Sequence, residues 1–163
     1  MVVDVADQSV HRVLLDSGAE VNVIYKSCQD HMDLEDKVLK RSSTPIVGFS
    51  GESVHAEEKI TLPVTITDKQ GVIITVPQEF YIIDALTKYN CILGRKFTVA
   101  ITSIPSTHHQ TLLFVGLEGR VERARGNEKM ARSCNFVNRA NTVPQKHENK
   151  GAIKSSRKRK KAL

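Results

Sequence analysis

The chain has 163 residues, no tryptophan and a formal net charge of +6. Such a length suits one domain and a tail, and no apolar run reaches the ~20 residues of a membrane-spanning helix. The three cysteines, Cys28, Cys91 and Cys134, are scattered and odd in number. They argue against a disulfide scaffold and fit a reducing compartment, and the lack of any Cys-x-x-Cys pair excludes a zinc knuckle or finger.

The positive charge lies in the C-terminal segment. Residues 139–163 hold nine of the 24 basic residues and one of the 18 acidic ones, so that segment carries +8 and the body −2. Its polar composition predicts a disordered basic tail, because too little apolar surface is present to offset the entropy of ordering. The tail ends in a dense basic cluster, Arg157, Lys158, Arg159, Lys160 and Lys161. This cluster is typical of a nuclear localisation signal or a weak nucleic-acid contact, and equally of a solubilising terminus.

Taken along the chain, the body is predicted to be all-β with one short helix. Strands are predicted over the apolar or β-branched runs at 10–16, 21–25, 59–67, 72–76, 78–84 and 112–115. The clearest is 59–67, which alternates apolar residues with polar ones and with Pro63, the pattern of a half-buried strand at an edge or a bulge. The turn signal Asp68–Gly71 predicts a hairpin with the following run. A short helix is expected over 95–102, and residues 117–138 are expected to form a C-terminal extension with helix-forming composition.

The segment Leu14–Ala19 carries the most chemical information. Asp16 follows two apolar strand residues and is followed by Ser17, Gly18 and Ala19. A carboxylate at the end of an apolar strand is costly unless it accepts hydrogen bonds or shares a proton with a second acid. On its own, however, Asp-Ser-Gly is also ordinary turn chemistry.

Two further motifs accompany that segment. A glycine-bracketed turn, Gly48–Gly51, lies between two extended runs, and Asn90–Arg95 places two aliphatic residues before Gly-Arg at the start of the predicted helix. In this order the three motifs resemble the retroviral-type aspartic proteases, the retropepsins, and most nearly the protease segment of plant gypsy-class LTR retrotransposon polyproteins. The matching stretches are 13–25, 47–51, 60–66 and 89–95, and the likeness extends over residues 10–137.

The resemblance implies a retropepsin-like single-lobe β-barrel over residues 1–116 and a role for each matching residue. Asp16 matches the catalytic aspartate, and the loop that supports it matches Ser17, Gly18 and Ala19. The flap, which closes over bound peptide, matches Gly48, Phe49, Ser50 and Gly51. The structural brace matches Ile92, Leu93, Gly94 and Arg95, with Glu20 at the position of an acid that often pairs with that arginine. The resemblance implies no metal and no cofactor.

Aspartic proteolysis needs two carboxylates that share one proton. The chain holds one Asp-Ser-Gly and no internal repeat, which excludes a two-lobed pepsin-type enzyme, so the second Asp16 must come from a partner chain. We therefore expect a homodimeric aspartic-type endopeptidase, a peptide hydrolase held together in part by unpaired terminal strands at Met1–Asp7 and Leu112–Val115. Its expected substrate is a retroelement gag-pol polyprotein, in the cytoplasm or, through the basic cluster, in the nucleus, with no membrane partner.

Two alternatives to that interpretation remain open. The first is a catalytically silent relic or domesticated module of the same fold that binds peptide or nucleic acid. The second is a nucleic-acid-binding protein that acts through its basic tail, which the acidic-leaning body disfavours. A metal site at His108–His109 is not expected, because adjacent residues on a strand point to opposite faces.

Overall fold

The computed structural model describes residues 1–34, 37–48, 51–68 and 71–140. The strands are β1 Val3–Val5, β2 Gln8–Val10, β3 Val13–Leu15, β4 Asn22–Tyr25, β5 Lys40–Arg41, β6 Pro45–Val47, β7 Ser53–His55, β8 Glu58–Asp68, β9 Gly71–Ile83, β10 Cys91–Leu93, β11 Ile104–Ser106, β12 Thr111–Val115 and β13 Val121–Arg125. The helices are α1 Lys26–Gln29, α2 Arg95–Ala100 and α3 Glu128–Ala140. None of the helices in this part of the chain is long and apolar enough to cross a membrane.

The main sheet curls around a mostly aliphatic core that also holds Phe80, Phe97 and Phe114. Its strand order is β2-β1-β8-β9-β4-β10-β3, with β5 also paired to β8. The hairpin of β8 and β9 is confirmed, and the alternating apolar residues of β8, Ile60, Leu62, Val64 and Ile66, are all buried. The Met1 amine donates to the Val13 carbonyl at 2.8 Å, which links the start of β1 to β3 at the far end of the sheet. The predicted mostly β, barrel-like single lobe is therefore confirmed.

Two prolines face each other in the long hairpin and correct two sequence-based expectations. Pro63 lies opposite Pro77, and β9 runs through Pro77 as one strand rather than the two predicted. The Pro63 carbonyl accepts a hydrogen bond from the Ala6 amide at 2.9 Å and so points away from β9. Residues of a non-hydrogen-bonded pair point their backbone groups away from each other in this way, so neither proline ring removes a bond of the β8–β9 ladder. Pro63 therefore lies within a central strand, and the expectation of an edge or a bulge there was wrong.

A second sheet, β11-β12-β13, follows α2 and packs one face on the core. Leu112 and Phe114 point inward from β12 and are buried. Strand β13 was not predicted, because its charged sequence lacks a strand-like apolar pattern; a tight turn with Gly119 at φ +72° returns it alongside β12. Helix α3 follows. The domain boundaries at 116 and 138 stay predictions, and residues 141–163 of the expected tail lie outside the described residues.

The two segments expected to be free dimerisation edges are both paired within this chain. Strand β1 lies between β2 and β8, and β12 lies between β11 and β13. Met1–Asp7 and Leu112–Val115 therefore offer no unpaired strand edge, and that expectation was wrong. Sequence alone could not place them, because a strand's neighbours are set by the fold and not by its own residues.

Candidate active site

Asp16 stands immediately after the end of β3, at the rim of the main sheet. Strand β3 runs parallel to β10, with Leu15 opposite Leu93. The Asp16 amide donates to the Leu93 carbonyl at 2.9 Å and so extends the ladder by one residue. The chain then turns away, and the Asp16 side chain is exposed. The backbone of Asp16 is thus held by the sheet while its carboxylate faces solvent.

The turn that follows orients the carboxylate. The Gly18 amide donates to Asp16 Oδ1 at 2.9 Å, and the Ala19 amide donates to the Asp16 carbonyl at 3.1 Å. A Cβ at residue 18 would lie 3.1 Å from the same Oδ1, so glycine leaves room for the carboxylate to accept that bond. Ser17 is exposed at the tip of the turn. Oδ1 of Asp16 thus accepts a hydrogen bond from its own turn, and Oδ2 accepts none from the described residues.

Gly94 braces the turn from behind. A Cβ at that position would lie 2.3 Å from the Val21 carbonyl oxygen and 2.8 Å from that of Ala19, distances that no side chain tolerates. The Arg95 amide donates to the Ala19 carbonyl at 2.7 Å. The start of α2 therefore packs directly on the backbone of the Asp16 turn. Leu93 is buried beside it, and Ile92 is half-buried.

Asn22 is a structural residue of this site that the sequence analysis did not single out. Its side chain is fully buried, with Oδ1 accepting from the Gly94 amide at 2.8 Å. Its Nδ2 donates to Gln78 Oε1 at 2.9 Å and to the Glu79 carbonyl at 3.1 Å. One amide therefore ties the brace to β9. The signal was available: a polar residue within the apolar run 21–25 must find partners when that strand is buried.

The predicted pair of Arg95 and Glu20 is not formed within this chain. Arg95 directs its Nε toward the Ser17 carbonyl at 3.4 Å, and the ion pairs found among the described residues do not include it. Arg95 thus contacts the loop that carries Asp16 through the backbone. A pairing with Glu20 across two chains stays a prediction.

The predicted flap coincides with the hairpin of β6 and β7. Gly48 donates to the Glu52 carbonyl at 2.7 Å, and Gly51 donates to the Gly48 carbonyl at 3.0 Å. Gly51 has φ +83°, a conformation that favours glycine. Phe49 and Ser50 lie outside the described residues. Among the strands that the structure describes, these two pair only with each other, and both are mostly exposed.

No group of three or more His, Cys, Asp or Glu side chains in the described ranges is arranged to hold a metal. His108 and His109 lie in the turn between β11 and β12, so the expectation that they point to opposite faces of a strand was wrong. Their rings meet edge to face at 4.9 Å, and His109 Nδ1 lies 2.8 Å from the Ser106 hydroxyl.

Two cavities, of about 620 and 490 Å³, lie beside the second sheet, and neither includes Asp16. The larger is lined by residues of the 106–111 turn region and of β13. The smaller lies between β3 and α3. Asp16 itself is exposed to solvent.

No family model and no curated protein matches the chain. Among the 28 solved chains that match, one is the retroviral protease-like domain of Ddi1 from Leishmania major. The identity is 16%, the TM-score is 0.46, and the match covers 78% of this chain and 93% of that one. So distant a likeness carries no information about activity, and the case for the site rests on the contacts around Asp16.

Proposed function

We propose that the chain is an aspartic endopeptidase that works as a homodimer, with one Asp16 from each chain. The observation that carries the proposal is the exposed Asp16 carboxylate, oriented by the Gly18 amide and held from behind by β10 and Gly94. No hydrogen bond joins Asp16 to a second carboxyl group among the described residues. A single chain therefore supplies half of the acid–base pair that the reaction needs.

The chemistry follows from two carboxyl groups that share one proton. The ionised Asp16 accepts a proton from water as the water oxygen attacks the peptide carbonyl carbon. The protonated carboxyl of the second chain donates its proton to the carbonyl oxygen, which gives a tetrahedral diol. Collapse of the diol breaks the C–N bond as the carboxylate of the second chain takes the proton of one diol hydroxyl, and the proton taken from water passes from Asp16 to the leaving amine. The pair returns to its single-proton state.

The substrate proposed is an extended segment of a retroelement polyprotein. The β6–β7 hairpin supports an extended peptide as the substrate, because a two-stranded ribbon that pairs with no other described strand is suited to close over a bound peptide. The proposed location is cytoplasmic, with nuclear import through the basic cluster at Arg157–Lys161.

The central test is Asp16→Asn. Asparagine keeps the shape and the Gly18 contact but cannot hold the shared proton, so we expect cleavage of an unfolded peptide library near pH 5 to fall by ~1,000-fold or more. The free energy of unfolding should change by less than about 0.5 kcal/mol, because the side chain is exposed. Asp84→Asn, also at an exposed position, is the matched control and should retain full activity.

A concentration series separates the two candidate functions. If two chains form the site, specific activity should fall on dilution as the dimer dissociates, and pepstatin should abolish it. Constant specific activity on dilution would show that a monomer catalyses and would contradict the proposal. Absence of cleavage by the wild-type dimer, together with peptide binding equal to that of Asp16→Asn, would favour the catalytically silent module.

A further inference from the structure

The free edge of β13 is an interaction surface outside the Asp16 site. Strand β13 pairs with β12 on one side, and no other described strand pairs with its second side. Val121, Arg123 and Arg125 are exposed along it, with Val121 at 72%. An exposed edge of this length is a template for a further strand.

The backbone groups that point outward can be assigned from the ladder. The bonds that flank it join Gly116 to Arg120 at 2.9 Å and Gly126 to Gln110 at 2.7 Å. Hydrogen-bonded pairs alternate in an antiparallel ladder, so Glu122 and Ala124 direct their N–H and C=O groups toward β12. Val121, Arg123 and Arg125 therefore direct theirs away from it, toward the free edge.

The side chains on the same three residues set the charge of this edge. Arg123 and Arg125 are two positions apart and project from the same face of the sheet. Neither forms an ion pair with any described residue. Both line the cavity of about 620 Å³, whose floor includes Leu113. Acidic side chains placed opposite the two arginines would have room there and would gain two cross-strand ion pairs.

The charge and the outward backbone groups of the β13 edge favour one class of binding partner over the others. A second copy of β13 would place arginine opposite arginine, which disfavours self-association at this edge. A single-stranded nucleic acid would stack its bases on aromatic side chains, whereas no Phe, Tyr or Trp of the described residues lines the cavity beside the arginines, where the ring side chains are His108 and His109. An extended polypeptide can satisfy the outward backbone groups, which a nucleic acid cannot do in register.

We propose that the free edge of β13 binds an acidic polypeptide segment as an added strand, with acidic residues at alternate positions opposite Arg123 and Arg125 and an apolar residue opposite Val121. This binding site lies outside the Asp16 site and goes beyond the proposed proteolysis. Its occupancy is measured on the full-length Asp16→Asn chain, so binding is observed without turnover and does not depend on the proposed activity.

The first experiment compares two fluorescent peptides by anisotropy. The probe is acetyl-Thr-Glu-Thr-Glu-Thr-Val-Thr-amide, which sets both glutamates and the valine on one face. The control, acetyl-Thr-Thr-Glu-Glu-Thr-Val-Thr-amide, has the same composition but sets the glutamates on opposite faces. We expect the probe to bind about tenfold more tightly. Equal affinities would indicate nonspecific attraction to positive charge, including that of the basic tail, and would overturn the proposal.

Charge reversal tests the arginines themselves. Arg123→Glu with Arg125→Glu should weaken probe binding by about tenfold or more and should favour the peptide with lysine in place of glutamate. The matched control, Lys40→Glu with Arg41→Glu at exposed positions of β5, changes the net charge equally and should leave the preference for the acidic probe intact. An equal loss in the control would show that net charge, and not the β13 edge, governs binding.

Amide hydrogen exchange locates the added strand. On saturation with the probe, the amides of Val121, Arg123 and Arg125 should gain protection, whereas those of Glu122 and Ala124 should change little because β12 already protects them. Protection with any other pattern would overturn the proposal. Displacement of the probe from these amides by a poly-thymidine oligonucleotide at equal charge concentration would instead make this edge a nucleic-acid site.

Discussion

The Asp16 turn and the β6–β7 hairpin are both tight turns, yet they are built in opposite ways. The Asp16 turn donates a hydrogen bond to β10, accepts one from the start of α2 and is backed by the buried side chain of Asn22. The hairpin forms its own turn bonds at Gly48 and Gly51 and pairs with no other strand among the described residues. The first is supported by the core, and the second is supported mainly by itself.

The difference suits the proposed function, which needs a fixed carboxylate and a hairpin that can move. A catalytic carboxylate must be held in one orientation, which requires a dense set of contacts behind it. A covering hairpin must open and close, and an isolated two-stranded ribbon is only marginally stable. The hairpin retains one anchor, because half-buried Ile46 packs against a small cluster that includes Val23 and Tyr81.

Substitution of the glycine behind the Asp16 turn and of a glycine in the hairpin gives the largest expected contrast. Gly94→Ala would force a Cβ into the Val21 and Ala19 carbonyls, and we expect it to lower the free energy of unfolding by about 3 kcal/mol. Gly51→Ala meets no atom within 4 Å, and its φ of +83° should cost about 1 kcal/mol locally. Denaturant unfolding measures both. Similar costs at the two positions would contradict the comparison.

The buried amide behind the Asp16 turn should produce the next largest effect. Asn22→Leu keeps the branched shape of the side chain but leaves the Gly94 amide and Gln78 Oε1 without partners, so we expect a loss of about 2–3 kcal/mol in the free energy of unfolding. Thr65→Val, which removes the hydroxyl that bonds the exposed Thr75, is the control and should cost under about 0.5 kcal/mol. A negligible cost for Asn22→Leu would mean that β10 alone holds the brace.

The ion pair of Glu79, whose carbonyl accepts from Asn22, should have a smaller and pH-dependent effect on the free energy of unfolding. The hydrogen bond from Lys59 at 2.9 Å lowers the pKa of Glu79 below its ordinary value, and Lys96 lies 3.7 Å from the same carboxylate. A lowered folded-state pKa stabilises the protein above the unfolded pKa, and the stabilisation is lost as pH falls through the folded value.

Comparison of Glu79→Gln with the wild type measures that effect. Because the pair is about one-third exposed, the two should differ by about 0.5 kcal/mol in the free energy of unfolding at neutral pH. The difference should shrink as pH falls below ~4. A difference that persisted or grew in acid would show that the pKa of Glu79 is not lowered in the folded protein.

Thiol labelling gives the smallest signal and sharpens the comparison. Burial raises the pKa of the Cys91 thiol, which lies on β10 behind the Asp16 turn, and raises that of half-buried Cys28 less severely. Iodoacetamide at neutral pH should therefore modify Cys28 slowly and Cys91 only upon unfolding. Mass spectrometry of samples taken over time measures the rate of modification at each cysteine. Modification of native Cys91 at the rate of Cys28 would show that the support behind the turn opens locally.

Local patterns in the sequence determined much of this structure. The alternation over 59–67 and the turn signal after it predicted the β8–β9 hairpin, because period-two patterning depends only on which face is buried. The sequence Leu-Leu-Asp-Ser-Gly predicted a carboxylate where a strand enters a turn, and Asp16 lies there. The short helix after Gly94 was predicted as well. Each of these features is encoded within about ten neighbouring residues.

Only the tertiary structure decided which strands are neighbours and which polar groups meet. In the folded chain, β1 and β12 each have neighbours on both sides, and β9 continues through Pro77 as one strand. The side chain of Asn22 contacts Gly94, which is 72 residues away. The tertiary structure also left the charged strand β13 with one free edge. Such pairings are invisible to local patterns, because they depend on the closure of the whole sheet and on satisfying every buried polar group at once.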